Sequence, residues 1–539
     1  MAGFIHAEGK RLADAEGREL LMRGVGLGGW LLPEGYMWCF PEQGDRPRKI
    51  ERMVEKLLGR GGAEKFWNEY RARYIAREDI RRIAEEGFNS VRLPLNARHL
   101  LASDGSGSFD PEGIALVDRL IGWCREVGIC VILDMHAAPG GQTGTNIDDS
   151  PNNRPELFTQ PANRRRLAEL WRALALRYRG EPAVAGYDLL NEPLPNWFSQ
   201  YNALLLPLYR ELAAAVRSVD KNHLLILEGA HWATDWSVFT QKPDDNLLLE
   251  FHKYWNNPDA ESLEPYLAKR EEWDVPVFMG EGGENNTDWY AGAFRLLEDL
   301  DISWNFWTWK KMDCTNSPCS VKRPEEWDGL VEYLRGDETA EEQAKEALRR
   351  YLESLPIGRC DYRPSVPCAL FRRVPVRIPA VFYDYTGAES GFHAAPRPRM
   401  KIDFRKSDAV DIRFSAENGS LNFAHGKGEA WSGEEWLCAR LSAGEWLRYT
   451  LEGREENAPA RLTLRARAAE GKTARVSAEL DGVPCASLQI TGPQFNSITA
   501  DSPVSLPRGP RFLALKAVSG SVEIQSLTLA PVPQSEGRR

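Results

Sequence analysis

Short apolar runs alternate with amphipathic helical patterns through the first two-thirds of the chain, and this alternation constrains the fold more than any other feature. The runs are apolar nearly throughout, which indicates strands buried on both faces, as in a parallel sheet covered by helices. Eight such runs within roughly 310 residues match the number of strands in a (β/α)₈ barrel. The runs lie at residues 20–27, 89–95, 129–136, 185–192, 223–229, 246–254, 275–281 and 302–309.

The segments between the runs predict what surrounds the barrel. The helical period is clearest at residues 77–87, 111–128, 163–180 and 208–220. Residues 3–20, at the start of the chain, indicate a small hairpin, which we expect to cover the bottom of the barrel. Polar segments after the first, third and eighth runs predict long loops that wall a site on the top face.

The composition of the chain and its pattern of apolar residues change after Leu355. Residues 356–377 are rich in Pro and Arg without a helical period, which is typical of a linker. From residue 378 to 535, short segments with alternating polarity are separated by turn residues, which predicts an antiparallel β-sandwich. The predicted fold class is therefore α/β, with a (β/α)₈ TIM barrel at 1–355, a linker at 356–377 and a β-sandwich domain at 378–535.

Charge and hydropathy exclude some classes of partner. A formal net charge of -10 argues against a nucleic-acid partner, because such proteins usually concentrate basic charge. No run of eighteen apolar residues occurs, so we expect no membrane partner. The first twenty residues lack the basic-then-apolar layout of a signal peptide, which favours a cytoplasmic protein, or a secreted one if a signal has been removed. The oligomeric state is left open.

The nine cysteines form no cluster with the spacing of a metal site. Cys314 with Cys319, or Cys360 with Cys368, are close enough in sequence to pair locally. We expect mostly reduced thiols, as in a cytosolic protein.

The active site of such a barrel lies at the C-terminal ends of its strands. The polar and aromatic residues at those ends are Arg92, His136, Asn191, Glu192, His252, Tyr254, Glu281, Trp307 and Trp309. Two of them are carboxylates, Glu192 at the end of the fourth run and Glu281 at the end of the seventh. A pair of carboxyl groups, one protonated and one ionised, is what the cleavage of a glycosidic bond requires.

The other residues at the strand ends suit a sugar site. We expect Arg92 and Tyr254 to hydrogen-bond an ionised Glu281 and to keep its pKa low. Asn191 suits a sugar hydroxyl, and Trp307 offers a flat apolar face. Trp309 is expected in the core, whereas Tyr36 and Trp38 either line the cleft or pack inside.

His136 and His252 have two interpretations, as members of the site or as hydrogen-bonded core histidines. No third ligand accompanies them at metal spacing in the sequence, so we predict no metal site and no cofactor.

Seven motifs stand in an order that resembles glycoside hydrolase family 5, in clan A. They are RGVGLGGWLLPEG, GFNSVRLPLN, LDMHAAPGGQTG, LLNEP, FHKYW, the GE of MGEGG and NFWTWK, and the likeness covers about residues 4 to 335. The resemblance implies a retaining mechanism with Glu192 as acid/base and Glu281 as nucleophile. It also implies a sugar-binding −1 subsite made of Arg92, His136, Asn191, His252, Tyr254 and Trp307.

Within the family, three motifs look most like the exo-β-1,3-glucanase branch. These are RGVGLGGWL, the HxAPGxQxG pattern at 136–144 and FWTWK. The GEGGENN sequence departs from the GEW-type continuation common in that branch, and the linkage preference stays open.

The C-terminal region is similar to carbohydrate-binding modules of the family 6/35 type. The similar segments are IPAVFYDYTGAESGF, SDAVDI, GEWLRYTL and VEIQSLTL. The resemblance implies a β-sandwich, often with a structural calcium. The acidic start and a late Asn of those modules are missing, so sugar binding and simple packing on the barrel are both open.

The sequence predicts a retaining β-glycosidase that hydrolyses β-glucosidic bonds in glucans, oligosaccharides or glucosides, acting from a chain end. The alternatives are an endo-acting β-1,4-glucanase or mannanase, and, from another class, a carbohydrate-binding protein without catalysis. Both carboxylates and their supporting residues are present together, which favours the enzyme.

Overall fold

The computed structural model describes residues 3–102, 107–397, 402–456, 458–469 and 472–532. The chain forms two compact units. The first comprises Met1–Lys253, Pro265–Gly283 and Ile302–Tyr362, and the second comprises Tyr254–Glu264, Glu284–Asp301 and Arg363–Arg539. The domain bounds expected from the sequence stay a prediction, and residues 533–535 of the expected sandwich lie outside the described residues.

A three-stranded antiparallel sheet, β1 (His6–Glu8), β2 (Arg11–Ala13) and β3 (Glu19–Leu20), begins the first unit. Leu12 of β2 and Ile5, directly before β1, are buried in one core cluster with Met22, Ile132 and Phe278, which come from the N-terminal parts of the barrel strands or just before them. The predicted hairpin beneath the barrel is therefore confirmed.

Eight parallel strands form a closed barrel, in the order β10-β11-β4-β5-β6-β7-β8-β9. The strands are β4 (Arg23–Gly26), β5 (Ser90–Asn96), β6 (Cys130–Ala137), β7 (Val184–Asp188), β8 (Leu224–Glu228), β9 (Leu247–Lys253), β10 (Val277–Gly283) and β11 (Ser303–Trp307). Seven of the eight are buried at every residue, as a sheet covered by helices requires. The predicted TIM barrel is confirmed. A small sheet of β12 (Lys310–Met312), β13 (Cys319–Val321) and β14 (Asp361–Tyr362) follows it.

Helices follow most of the strands. They are α1 (Pro47–Tyr74), α2 (Arg77–Glu85), α3 (Ala97–Leu100), α4 (Pro111–Val127), α5 (Glu156–Thr159), α6 (Pro161–Tyr178), α7 (Leu205–Arg217), α8 (Ala230–Ala233), α9 (Glu264–Trp273), α10 (Thr287–Asp299), α11 (Trp327–Arg335), α12 (Glu341–Ser354) and α13 (Ser365–Leu370). Short 3₁₀ turns lie at Gly35–Trp38, Glu42–Gly44, Asn196–Leu204, Trp236–Val238, Glu261–Leu263, Glu338–Ala340, Ile357–Arg359 and Ala380–Phe382. The four predicted helices are confirmed as α2, α4, α6 and α7. Within the described ranges, every helix is too short or too polar to cross a bilayer.

The segment after the first barrel strand corrects the expectation of a long polar loop. It contains α1, a 28-residue helix that bends at Gly59 (φ 67°). The helix forms because it buries an aromatic face: Trp67 and Tyr70 pack on Trp38, with ring centroids 6.0 and 5.3 Å away. Trp38 is fully buried and therefore belongs to the core rather than to the cleft.

Two antiparallel sheets make up most of the second unit, which confirms the predicted sandwich. One contains β15 (Val376–Pro379), β17 (Asp411–Phe414), β18 (Leu437–Ser442), β20 (Ala458–Ala468), β23 (Asn496–Thr499), β24 (Val504–Leu506) and β26 (Ser521–Pro531). The other contains β16 (Phe392–His393), β19 (Trp446–Gly453), β21 (Thr473–Leu480), β22 (Val483–Thr491) and β25 (Gly509–Ser519). Helix α10 also lies in this unit, where Arg377 pairs with Asp288 at 2.5 Å.

The nine cysteines, each of them among the described residues, form no disulfide bond in this structure, and the expectation of reduced thiols stays a prediction.

Candidate active site

Arg92 lies at the centre of the site, with its side chain fully buried inside the barrel. It is the third residue of β5, and its guanidinium reaches acidic side chains from five other strands. Its nitrogens lie 3.0 Å from Asp134, 2.6 Å from Asp188, 2.9 Å from Glu228, 3.4 Å from Glu250 and 2.5 Å from Glu281. A buried arginine needs such partners, because an unpaired charge is costly in a dry interior.

The barrel register brings the acids together. Asp134 of β6 is directly opposite Asp188 of β7, and Glu228 of β8 is directly opposite Glu250 of β9. Because alternate residues of a strand face the same side, Glu250 and His252 share the inner face of β9. Gly280 leaves room for this arrangement, since a Cβ there would overlap the Glu250 carboxylate.

The site holds more acidic than basic side chains. Six acids, which are these five and Glu192, meet three bases, which are Arg92, His136 and His252. A surplus of carboxylates in a buried site disfavours the ionised form of some of them. Burial, helped by neighbouring carboxylates, raises the pKa of Glu228 to about 7 and that of Asp188 well above its usual value, although Arg92 opposes both shifts.

The pKa of Glu281 corrects the prediction that Arg92 and Tyr254 keep it low. Burial raises the pKa of Glu281, and this effect outweighs the lowering by His252 and Arg92. Arg92 still donates from Nη1 to Glu281 Oε1 at 2.5 Å, so the ionised form has a charged partner.

Glu192 lies four residues beyond the end of β7, on backbone with φ 44°. Left-handed backbone costs about 1–3 kcal/mol at a non-glycine residue and is typical of functional sites. The Glu192 N–H donates to Glu228 Oε2 at 2.7 Å. Its side chain is the most exposed of the six acids, at 13%.

His252 links the two candidate catalytic carboxylates. Its Nδ1 lies 2.6 Å from Glu192 Oε1 and 3.7 Å from Glu281 Oε2, and one ligand atom from each of the three residues lies within 4.8 Å of the other two. Burial alone would lower the pKa of His252, but Glu228, Glu281 and Glu192 raise it well above its usual value. The three neighbouring carboxylates therefore favour the protonated form of His252.

His136 and Trp307 form one wall of the site. Their rings stack at 5.6 Å with an angle of 4°, and the Trp307 Nε1–H donates to the Tyr36 hydroxyl at 2.8 Å. His136 Nδ1 lies 2.8 Å from Asp134 Oδ2. Burial alone would lower the pKa of His136, but Asp134 and Glu281 raise it to about 9. Tyr36 is 40% exposed, which agrees with a place along the cleft.

Asn191 completes the group that the structure brings together. Its Oδ1 accepts from Arg92 Nη2 at 2.8 Å, and its Nδ2 lies 3.4 Å from His136 Nε2. Gln142, in the loop after β6, donates from Nε2 to the carbonyl oxygens of His136 (2.7 Å) and Asn191 (3.0 Å). The polar loop after the third strand is thus fastened to the site.

Two of the predicted residues stand apart from this group. Tyr254, partly buried, follows β9 and belongs to the second unit, so its expected hydrogen bond to Glu281 stays a prediction. Trp309 is fully buried and donates from Nε1 to Asp79 at 2.9 Å, which confirms it as a core residue.

Several of these side chains could also hold a cation. In the described part of the chain, three sets of carboxylate and imidazole groups come within 4.8 Å: Asp134–His136–Glu281, Glu192–His252–Glu281 and Glu228–Glu250–His252. The argument that each histidine lacks a third ligand was therefore wrong, because residues distant in sequence meet at the strand ends. The prediction of no metal stays a prediction, as does calcium in the sandwich.

Sequence reasoning missed Asp134, Asp188, Glu228 and Glu250. Each is an acidic residue inside an otherwise apolar strand run, where acids are rare unless they are paired. An acidic residue among apolar neighbours was the feature of the sequence that could have identified these four positions.

Comparisons with known proteins identify related sequences. The family model described as cellulase (glycosyl hydrolase family 5) matches residues 56–313. A β-xylosidase of Phanerodontia chrysosporium is 30% identical over 343 residues, covering 57% of this chain and 71% of the relative. Endoglucanase C of Acetivibrio thermocellus is 26% identical over 310 residues, covering 46% and 88%. A probable glucan 1,3-β-glucosidase A of Aspergillus clavatus is 28% identical over 337 residues, covering 59% and 77%.

Proposed function

The chain belongs to glycosyl hydrolase family 5, and we propose that it is a retaining β-glycosidase that hydrolyses β-glucosidic bonds in glucans, oligosaccharides or glucosides from a chain end. The observation that carries the proposal is the approach of Glu192 and Glu281, which have carboxylate oxygens within 4.8 Å of each other. Retaining enzymes hold their two carboxyl groups about 5–5.5 Å apart, whereas inverting enzymes hold them about 6.5–9.5 Å apart. The short separation supports retention.

In the first step, the Glu281 carboxylate attacks the anomeric carbon and forms a glycosyl ester. Arg92, His136 and His252 face this carboxylate and favour its ionised form against the effect of burial. The leaving oxygen takes a proton as its bond to the anomeric carbon breaks. Glu192, in its protonated form, gives up this proton and becomes ionised. Nδ1 of His252 lies 2.6 Å from Glu192 Oε1 and can donate to the carboxylate that results.

In the second step, water attacks the anomeric carbon of the ester and frees Glu281. Glu192, now ionised, takes the proton from that water, so the same group acts first as acid and then as base. Its partial exposure of 13% suits this exchange with solvent better than the full burial of the neighbouring acids.

Action from a chain end is supported by the loop after β6. Gln142 ties it to His136 and Asn191, and Asp148 accepts the N–H groups of Thr143 and Gly144 at 2.8 and 3.0 Å. A fixed loop at this position favours a bounded site over an open cleft. The relatives include a β-xylosidase and a glucan 1,3-β-glucosidase, but also an endoglucanase.

A product profile tests the proposal. The chain and its Glu281→Gln variant would be incubated with β-1,3-, β-1,4- and β-1,6-linked gluco-oligosaccharides and with β-xylo-oligosaccharides. We expect a monosaccharide alone, first as the β-anomer by proton NMR, and a loss of several orders of magnitude in the variant. A ladder of oligomers would overturn action from a chain end, and a first-formed α-anomer would overturn retention.

A further inference from the structure

The segment that carries Glu192 is held in a strained conformation. Glu192 (φ 44°) and Leu194 (φ 54°) both lie on left-handed backbone. Such backbone is costly at a non-glycine residue and persists only where its surroundings enforce it. Residues 189–195 belong to no helix or strand, so hydrogen bonds from other parts of the unit must fix this segment.

Gln142 contacts this segment on both sides of Glu192. Its side-chain Nε2 donates to the Asn191 carbonyl oxygen at 3.0 Å, and its own carbonyl oxygen accepts from the Leu194 N–H at 3.2 Å. The first contact lies directly before Glu192, and the second lies two residues after it. A shift of Gln142 relative to the barrel would therefore move Glu192.

The same amide is bound to the end of β6. Nε2 also donates to the His136 carbonyl oxygen at 2.7 Å, and Oε1 accepts from the Ala138 N–H at 3.1 Å. Gln142 is fully buried, and these contacts satisfy both ends of its amide. A rotated amide would place Oε1 against two carbonyl oxygens, so its orientation is fixed. The side chain thus bridges the strand that carries His136 and the segment that carries Glu192.

The loop around Gln142 determines where its amide lies. Gly141 has φ 81°, and a Cβ there would lie 2.7 Å from Asp148 Oδ2, so the loop requires glycine at this position. The same oxygen of Asp148 accepts from the N–H groups of Thr143 and Gly144 at 2.8 and 3.0 Å. The backbone is therefore fixed on both sides of Gln142, and its amide is preorganised for its contacts.

We propose that Gln142 is a positioning residue for the acid/base reaction, whose carboxamide sets where the Glu192 carboxyl group lies relative to the leaving oxygen. The inference rests on the proposed function and adds a residue that acts through the backbone of the catalytic segment. A general acid must lie about 2.6–3.2 Å from the atom that it protonates, so a small displacement of Glu192 lowers the rate strongly.

Two replacements of similar size separate the hydrogen bonds of Gln142 from its volume. Gln142→Met removes all three side-chain hydrogen bonds at every pH. Gln142→Glu places a carboxyl group against the carbonyl oxygens of His136 and Asn191. In its protonated form this group donates to one of them, whereas in its ionised form it repels both. Burial favours the protonated form, so the glutamate should restore part of the function at low pH and lose it as the pH rises.

Steady-state kinetics with two leaving groups tests the assignment. Ethyl β-glucoside needs a proton on its leaving oxygen, whereas dinitrophenyl β-glucoside does not. In Gln142→Met, we expect kcat/KM for the ethyl glucoside to fall about tenfold or more, and that for the dinitrophenyl glucoside to fall less than about threefold. In Gln142→Glu, the loss on the ethyl glucoside relative to the wild type should be about fivefold smaller at pH 5 than at pH 8.

A buried glutamine of the second unit provides the matched control. Gln525 accepts from Arg465 and donates to Ser415, each at 3.0 Å. Gln525→Met also loses buried hydrogen bonds, and it should leave the ratio of the two kcat/KM values unchanged.

Three kinetic results would overturn the assignment. An equal loss on both substrates in Gln142→Met would indicate general damage to the site, because only a misplaced acid depends on the leaving group. Unchanged kcat/KM for the ethyl glucoside in that variant would show that the hydrogen bonds do not matter. A Gln142→Glu protein whose pH profile parallels that of the wild type would remove the role of the donor.

Hydrogen exchange separates this inference from the proposed function. Exchange of the backbone amides in residues 189–195 would be followed by mass spectrometry in the wild type and in Gln142→Met. If the wild type hydrolyses neither glucoside, the proposed function fails, yet exchange about tenfold faster in the variant would still show that Gln142 holds the segment. Unchanged exchange would overturn the positioning role whatever the activity.

Discussion

The backbone N–H of Glu192 donates a 2.7 Å hydrogen bond to Oε2 of Glu228, a carboxyl group that is itself fully buried. The other oxygen of Glu228 accepts from Arg92 Nη2 at 2.9 Å, and His252 Nε2 lies 3.5 Å from Oε2. Glu228 thus holds the strained backbone of the proposed acid/base residue and contacts two of the groups around the nucleophile.

Replacing Glu228 by Gln should impair acid catalysis selectively, because an amide nitrogen placed toward Glu192 cannot accept its N–H. We expect kcat/KM for alkyl β-glucosides to fall about 10- to 100-fold, and that for dinitrophenyl β-glucoside, whose leaving group needs no proton, to fall less than about threefold. Steady-state kinetics on both substrates checks this, with Glu126→Gln on the exposed surface of α4 as control. Equal losses on the two substrates would show that Glu228 does not act through Glu192.

Removing the charge of Arg92 should destabilise the barrel strongly. In Arg92→Met, the acids of five strands lose their shared cation, and a buried charge without a partner costs about 3–5 kcal/mol. Urea denaturation at neutral pH measures the change in free energy of unfolding. The exposed Arg18, replaced by Met, serves as control and should change it little. A cost below about 1 kcal/mol for Arg92→Met would contradict the picture of a charge-balanced core.

The raised pKa of His136 predicts a pH dependence of stability. Its value of about 9 in the folded protein exceeds the value of about 6.5 expected in the unfolded chain. The stabilisation is therefore complete below about pH 6.5 and is lost as the pH rises through about 9. Between about pH 6 and pH 9.5, the wild type should lose about 3 kcal/mol more than His136→Asn. Parallel stability curves for the two proteins would rule this shift out.

Replacing Gly292 of α10 by alanine should lower the free energy of unfolding, whereas the same change in an open helix position should raise it. A Cβ at Gly292 would lie 2.7 Å from the buried ring of Phe382 in the same unit. We expect Gly292→Ala to lower the free energy of unfolding by about 1–3 kcal/mol, despite the better helix propensity of alanine. Gly122→Ala, in α4 with no atom within 4 Å, should raise it by about 0.5–1 kcal/mol. Thermal denaturation compares them, and the same sign for both would contradict the packing argument.

The barrel could be predicted because buried parallel strands leave continuous apolar runs in the sequence. Helix α1 could not, since its charged residues resemble a loop and its stability comes from the packing of Trp67 and Tyr70 on Trp38. The sequence also gave no sign that α10 belongs to the second unit. A fragment cut from the chain at residues 376–539 would therefore lack part of that unit. Carbohydrate binding by the sandwich stays a prediction, to be tested in the full chain.

The strand-end rule located Glu192, His252 and Glu281, because it depends only on where an apolar run stops. The acids beneath them were missed, since the pairing of Asp134 with Asp188 depends on the register of the closed barrel. The predicted direction of the Glu281 pKa shift was wrong for a related reason. It is a balance between burial and several neighbours, and only three-dimensional distances give the weight of each.

Trapping the covalent intermediate tests the central claim most directly, that Glu281 is the nucleophile of a retaining reaction. The chain would be treated with a 2-deoxy-2-fluoro-β-glucosyl fluoride, in which the fluorine at C2 slows breakdown of the glycosyl ester, and then digested and analysed by mass spectrometry. The account predicts one added fluoroglucosyl group on the peptide containing Glu281, and none in Glu281→Gln. An adduct on another residue, or turnover of unmodified substrates without any adduct, would contradict it.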